Sequence, residues 1–143
     1  MQKILIKKLH DYIRENNPDI LVQLEEEKKV TEYLSDKIKL VDGLLQETGK
    51  QPAYIIEEAC MDILTEDLRP SKYHYIYGIL EEEFEATYRR LQNSGTLQFE
   101  VINLIKYSQP LFDAVGFTLE NEDNRELKYS VTGAIAEYLE SNK

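Results

Sequence analysis

Large apolar side chains recur at intervals of three and four along the segment between Pro70 and Gly95. Such spacing places them on one stripe of a helix, while glutamate, arginine and glutamine occupy the opposite face. The stripe comprises Tyr73, Ile76, Tyr77, Leu80, Phe84, Tyr88 and Leu91. The pattern predicts one amphipathic helix over residues 71–91, with Phe84 in the protein core.

The same periodicity predicts further helices, separated by residues that favour helix ends. We expect Asn17 to cap the second helix with Pro18 in its first turn, and Ser71 to cap the fourth. Pro110 is expected to interrupt the fifth helix, with an irregular or short helical segment over residues 111–117. The predicted helices span residues 2–15, 19–47, 52–68, 71–91, 96–107 and 125–140.

No convincing strand alternation and no internal repeat accompanies these helices. The prediction is therefore an all-α, single-domain bundle of five or six helices that extends over residues 1–143. A chain of 143 residues is long enough to bury a sizeable core.

Charge and hydropathy narrow the classes of function. The chain has 17 basic and 27 acidic residues and a net charge of −10, which disfavours direct binding to nucleic acid or to an anionic membrane. No apolar run approaches the ~20 residues of a membrane span, and the N-terminal apolar run at residues 4–6 is too short for a signal peptide. These features predict a cytoplasmic protein.

The sequence contains two candidates for a nucleophilic site. Cys60 is the only cysteine and lies among apolar residues, so we expect an inert core thiol. Ser71, Lys72 and Tyr73 could suggest a nucleophile beside a base, but successive helix positions do not face each other. An N-cap serine, a solvated lysine and a core tyrosine are the favoured interpretation.

Metal ligation finds equally little support. His10 and His74 lack the spacing of a helical metal motif. Glu81, Glu82 and Glu83 diverge around a helix, so they predict a solvated face, with Glu83 turned toward a polar partner. We therefore assign no catalytic, cofactor-binding or metal site and expect no cofactor.

Tyrosine is abundant, with ten residues against four phenylalanines and no tryptophan. If Tyr73 and Tyr77 face the core, Tyr75 lies near the opposite side of the helix. Two interpretations stay open for Tyr75. It is a boundary residue with its hydroxyl in water, or it marks a contact surface, where tyrosine is common.

Two groups of residues carry a family resemblance. The first group is Ser71, Lys72, Tyr73, Leu80, Glu83 and Phe84, and the second is Leu127, Tyr129, Thr132, Gly133, Ile135, Ala136, Tyr138, Leu139 and Glu140. Together they resemble a Bacteroidetes family of small helical proteins of unknown function whose genes often lie near mobile elements. The chain departs from the family at Asn17, where His is usual, and at His74, where Asp is frequent. The resemblance implies a helical fold and a bacterial cytoplasmic setting, but no substrate.

Three classes of function remain. The favoured class is a protein-interaction or accessory module that binds an unidentified protein partner or forms a homodimer, because catalytic motifs are absent from the sequence. An acidic decoy or inhibitor of a nucleic-acid-binding protein is the first alternative, suggested by the charge of −10. The second alternative is an enzyme or ligand-binding protein with an unrecognised site, although an enzyme is not favoured.

Overall fold

The computed structural model describes residues 1–47 and 49–142. These residues form nine α-helices and no strand, which confirms the all-α class and corrects the expected five or six helices. The chain divides into two compact units, Met1–Arg69 and Pro70–Lys143, and each is described by itself below. The single-domain organisation stays a prediction.

Five helices and a 3-10 turn are formed by residues 1–47 and 49–69 of the first unit. They are α1 (Gln2–Asn16), α2 (Pro18–Glu27), α3 (Val30–Lys39), α4 (Asp42–Leu45) and α5 (Ala53–Leu64), with the turn at Glu66–Leu68. Helix α1 agrees with the prediction, and α2, α3 and α5 all pack against it. The helix predicted over residues 52–68 is shorter, because it gives way to the 3-10 turn after Leu64.

The prediction of one long helix over residues 19–47 is wrong, because α2, α3 and α4 occupy this segment. Lys28 adopts the left-handed conformation at φ 58°, and its N–H donates to the Glu25 carbonyl while the Lys29 N–H donates to Leu24. This is the hydrogen-bonding pattern that ends a helix. The break falls in a charged stretch with no apolar face, so little packing opposes it.

An apolar cluster from all the larger helices forms the core of this unit. Its buried members are Leu5, Leu9, Ile13, Leu21, Leu34, Ile38, Val41, Ile56, Cys60, Leu64 and Leu68. Cys60 is 0% exposed, which confirms the expected core position of its thiol. On the same helix Ile56 faces inward, whereas Ile55 and Ile63 are exposed.

Two polar side chains bind the backbone around the turn that follows α5. The Nζ atom of Lys37, a residue only 9% exposed, donates to the Leu64 carbonyl at 3.3 Å and to Asp67 Oδ1 at 2.5 Å. Asn17 makes no side-chain cap, contrary to the prediction. Its Nδ2 donates instead to the Leu68 carbonyl at 3.1 Å, so it ties the start of α2 to the turn.

The second unit contains the remaining four helices. They are α6 (Lys72–Glu83), α7 (Glu85–Ser94), α8 (Leu97–Val115) and α9 (Arg125–Ser141). Helix α8 lies at the centre, because α6, α7 and α9 all pack against it. The buried core of this second unit comprises Ile76, Ile79, Leu80, Val101, Leu104, Ile105, Phe112, Leu127, Val131 and Ile135.

The single helix predicted over residues 71–91 is broken at Phe84. The backbone of Phe84 leaves the helical region at φ −134° and ψ 51°, although its N–H still bonds to Leu80 and its carbonyl accepts from Tyr88. Helices α6 and α7 both contact α8, so the apolar spacing continues across the break. Phe84 is half-buried at this junction, not a core residue as predicted.

Pro110 does not interrupt the fifth predicted helix. It lies inside α8, which runs on through the segment predicted as irregular. The proline removes one backbone donor but faces solvent, while Ser108 and Phe112 on either side of it are buried. Burial on the inner face therefore keeps the helix continuous to Val115. Helix α9 agrees with its prediction to within one residue.

None of the helices within residues 1–47 and 49–142 combines the length and apolar character needed to traverse a bilayer.

We expect Lys37→Ala to lower the free energy of unfolding by about 1.5–3 kcal/mol, because hydrogen bonds from a charged, largely buried donor are lost. Lys39→Ala is the matched control, since Lys39 is exposed and pairs with Asp36 on its own helix. Its expected cost is about 0.5 kcal/mol or less. Chemical denaturation measures both. Equal losses would contradict a structural role for Lys37.

Phe112→Ala is expected to cost about 3–5 kcal/mol, because Phe112 is 1% exposed and its loss leaves a cavity. Phe84→Ala is expected to cost about 1–2 kcal/mol, because only part of its apolar surface leaves water. Thermal and urea unfolding of the two variants rank them. A larger loss for Phe84→Ala would place Phe84 in the core after all.

Candidate functional site

A cavity of about 450 Å³ opens in the second unit beside α6 and the start of α9, and we call it the Tyr75 cavity. Its lining consists of Tyr75, Gly78, Ile79, Glu82, Glu122, Asp123 and Lys128. The volume lies within the range of protein ligand sites. A mixed lining of carboxylates, one amine and an aromatic ring makes it the candidate functional site.

Helix geometry explains how these residues meet. Tyr75, Ile79 and Glu82 follow each other at helical spacing, so α6 presents them on one face. The helix begins at the N-cap Ser71, whose Oγ accepts from the His74 N–H at 3.1 Å. This bond confirms the predicted cap and fixes the turn that precedes Tyr75.

A second cap positions the other wall. Asn124 Oδ1 accepts from the Leu127 N–H at 2.9 Å, so α9 begins immediately after the acidic pair Glu122 and Asp123. Lys128 lies in the first turn of α9, and its Nζ is 3.5 Å from Glu82 Oε2. This ion pair connects α9 to α6 across the cavity.

The lining carries more negative than positive charge. Glu82, Glu122 and Asp123 supply three carboxylates, and Lys128 supplies one ammonium group. The Lys128–Glu82 pair is largely exposed, so water screens it and it contributes little to stability. The excess of carboxylates makes the cavity attractive to a cation.

Tyr75 forms the aromatic wall. Its ring packs edge-on against Phe112 and Phe117, with centroids 5.8 Å and 5.0 Å away. Its buried hydroxyl has no hydrogen-bond partner among the described residues. Burial, assisted by the negative charge of Asp123, raises the pKa of Tyr75, so the hydroxyl keeps its proton well above neutral pH.

Tyr75 is half-buried, as expected of a boundary residue, but its hydroxyl is buried and not in water as one interpretation had it. The other interpretation, that Tyr75 marks a contact surface, stays a prediction. The spacing of the sequence does not show why the hydroxyl is buried, because Phe112 and Phe117 belong to a segment that is predicted to be irregular or a short helical turn. In the structure α8 carries Phe112 into the core, and Tyr75 covers it.

Lys72 and Tyr73, which follow Ser71 in the candidate nucleophile motif, make contacts of different kinds. Lys72 Nζ donates to Gln109 Oε1 at 3.2 Å and lies over the Phe112 ring. Tyr73 is half-buried and packs against the core of the second unit. The centroid of its ring lies 6.0 Å from that of Tyr77, and the two rings are tilted by 39°.

The candidate metal ligands are equally dispersed. His10 lies on α1 and His74 is exposed on α6; Glu81, Glu82 and Glu83 are exposed, and only Glu82 reaches the Tyr75 cavity. Within residues 1–47 and 49–142, no group of three or more His, Cys, Asp or Glu side chains is arranged to hold a metal ion.

Sequence reasoning missed Glu122, Asp123 and Lys128 as site residues. They belong to a polar loop and a helix start far along the chain from Tyr75, and no spacing rule connects them to α6. The available signal was the acidic pair directly before the capping residue Asn124.

No protein-family model matches this chain, and no curated protein or solved structure matches it. The resemblance to the Bacteroidetes family therefore stays a prediction. The candidate site rests on the geometry and charge of its own residues.

Tyr75→Phe is expected to change the free energy of unfolding by about 0.5 kcal/mol or less, or to raise it, because the lost hydroxyl has no partner. The control is Tyr77→Phe, which removes the 2.7 Å hydrogen bond between the Tyr77 and Tyr88 hydroxyls and should cost about 0.5–1.5 kcal/mol. Urea denaturation compares them. A cost above about 1 kcal/mol for Tyr75→Phe would mean that its hydroxyl is bonded in solution.

Proposed function

We propose that this protein is a small interaction module that binds a basic segment of a protein partner. The carboxylate excess of the Tyr75 cavity is the observation that carries the proposal. Glu122 and Asp123 present negative charge that Lys128, already paired with Glu82, does not neutralise. A lysine or arginine side chain from a partner supplies the missing positive charge.

The lining suits an arginine side chain best. A guanidinium group forms two parallel hydrogen bonds to one carboxylate. Its flat face also packs against an aromatic ring such as that of Tyr75. The cavity of about 450 Å³ is larger than one side chain, so residues beside the arginine also fit.

The charge of the whole chain supports the same proposal. A net charge of −10 attracts a basic partner over a distance and accelerates encounter. Because this attraction is screened by ions, binding weakens as the salt concentration rises. We place the module in the bacterial cytoplasm, in line with the family resemblance.

A nucleic-acid-binding protein is one class of basic partner, which gives the acidic-decoy alternative. The charge of −10 favours it, because an acidic protein competes with phosphates for the same basic surface. Competition by duplex DNA for the captured partner separates this alternative from a module whose partner binds no nucleic acid.

The proposal predicts that the double variant Glu122→Gln/Asp123→Asn loses its partner. The immobilised protein and variant are incubated with a nuclease-treated lysate of the source organism and eluted with a salt gradient. We expect the wild type to retain a basic protein that salt elutes, and the variant to retain at least about tenfold less, because a charge-assisted contact contributes about 1.5–3 kcal/mol.

The matched control is Glu25→Gln/Glu26→Gln, which makes the same change in net charge on exposed positions of α2. It should retain the partner at nearly the wild-type level. If both double variants lose the partner equally, average charge rather than the Tyr75 cavity drives binding. A partner held without salt dependence contradicts the proposal altogether.

A further inference from the structure

We propose that a second cavity, which lies apart from the Tyr75 cavity, binds a free α-amino acid with an apolar side chain. It has a volume of about 620 Å³ and lies among α7, the start of α8 and the end of α9. The residues that carry the inference are Thr87, Arg90, Leu91, Phe99, Glu100 and Leu139. We call it the Arg90 cavity, and its ligand is independent of the function proposed above.

Two opposite charges line this cavity without neutralising each other. Arg90 and Glu100 form no ion pair with one another, and Arg90 has no partner among the described residues. The adjacent Arg89 differs, because its Nη2 lies 2.5 Å from Glu85 Oε1. Of these two neighbouring arginines, Arg90 is therefore the one that brings an unpaired guanidinium group to the cavity wall.

Glu100 is held in place from one side. Its Oε1 accepts from Asn103 Nδ2 at 3.1 Å and from the Tyr138 hydroxyl at 3.5 Å. No partner of Oε2 lies among the described residues, so one carboxylate oxygen is available to a donor in the cavity. Its orientation is set before any ligand arrives, which lowers the entropy cost of binding.

Apolar surface completes the lining. The Phe99 ring is 66% exposed at the cavity edge, and Leu91 and Leu139 contribute the aliphatic wall. Thr87 lies one turn before Arg90 on α7, so its hydroxyl faces the same side. An apolar ligand group that covers Phe99 removes that surface from water.

The charges decide between classes of ligand. A simple anion is repelled by Glu100, and a simple cation is repelled by Arg90. A zwitterion satisfies both, because its carboxylate accepts hydrogen bonds from Arg90 while its ammonium group donates to Glu100. An α-amino acid carries these two groups on one carbon atom together with a side chain, which the apolar wall accommodates.

Calorimetric titration of the full chain with L-phenylalanine tests the assignment. We expect saturable binding to the wild type, and at least about tenfold weaker binding to Arg90→Gln and to Glu100→Gln, since each removes one charge-assisted contact. Arg89→Gln is the matched control and should bind as the wild type does. Circular dichroism checks that all the variants remain folded, and Arg90 is exposed, so its substitution leaves the core intact.

Two analogues sharpen the result. 2-Phenylethylamine lacks the carboxylate, and N-acetyl-L-phenylalanine lacks the ammonium group, so both should bind at least about tenfold more weakly than L-phenylalanine. Equal binding of either analogue, equal loss in Arg89→Gln, or no saturable binding at millimolar L-phenylalanine overturns the proposal. None of these results bears on capture of a basic partner at the Tyr75 cavity.

Discussion

Burial of the apolar face of one central helix is the constraint on which each unit depends. In the first unit α2, α3 and α5 pack on α1, and in the second α6, α7 and α9 pack on α8. None of the outer helices would be stable in water without that shared surface, because isolated helices of this length have only marginal stability. Helices α6, α7 and α9 supply walls of the two cavities. All three pack on α8, so the positions of these walls depend on that helix.

Apolar packing alone does not determine the path of the chain in the turns between helices. In the first unit polar side chains determine it. Lys37 and Asn17 donate to the carbonyls of Leu64 and Leu68, which lie at either end of the turn after α5. Carbonyls at a helix end have no partner within the helix, and burial makes an unsatisfied carbonyl costly. These two donors therefore fix where the chain leaves α5, a direction that non-directional apolar contacts cannot specify.

Sequence periodicity predicted the helical class and most buried positions, because the spacing of Leu5, Leu9 and Ile13 or of Leu127, Val131 and Ile135 reports a helix face directly. It failed at helix breaks. Lys28 and Phe84 are ordinary residues for a helix interior, and their departures from it come from local hydrogen bonds and packing that no spacing reveals.

At Pro110 the sequence predicted a helix break that the structure does not have. The proline lies on the solvent side of a helix whose other face is buried. The Tyr75 cavity could not be predicted from the sequence for a related reason. It joins α6 to residues that follow α8, and such a juxtaposition depends on tertiary packing rather than on local pattern.

Pro110 also has a mechanical meaning. Phe112, which supports Tyr75, lies beyond the proline, whereas Phe99 and Glu100 lie in the first turn of the same helix, about 20 Å away along its axis. The proline leaves the Lys106 carbonyl without its usual helical donor, so α8 lacks one backbone hydrogen bond between its two ends. Sharp bends in helices occur at proline. Phe112 and the pair Phe99 and Glu100 therefore lie on opposite sides of the point at which this helix bends most readily.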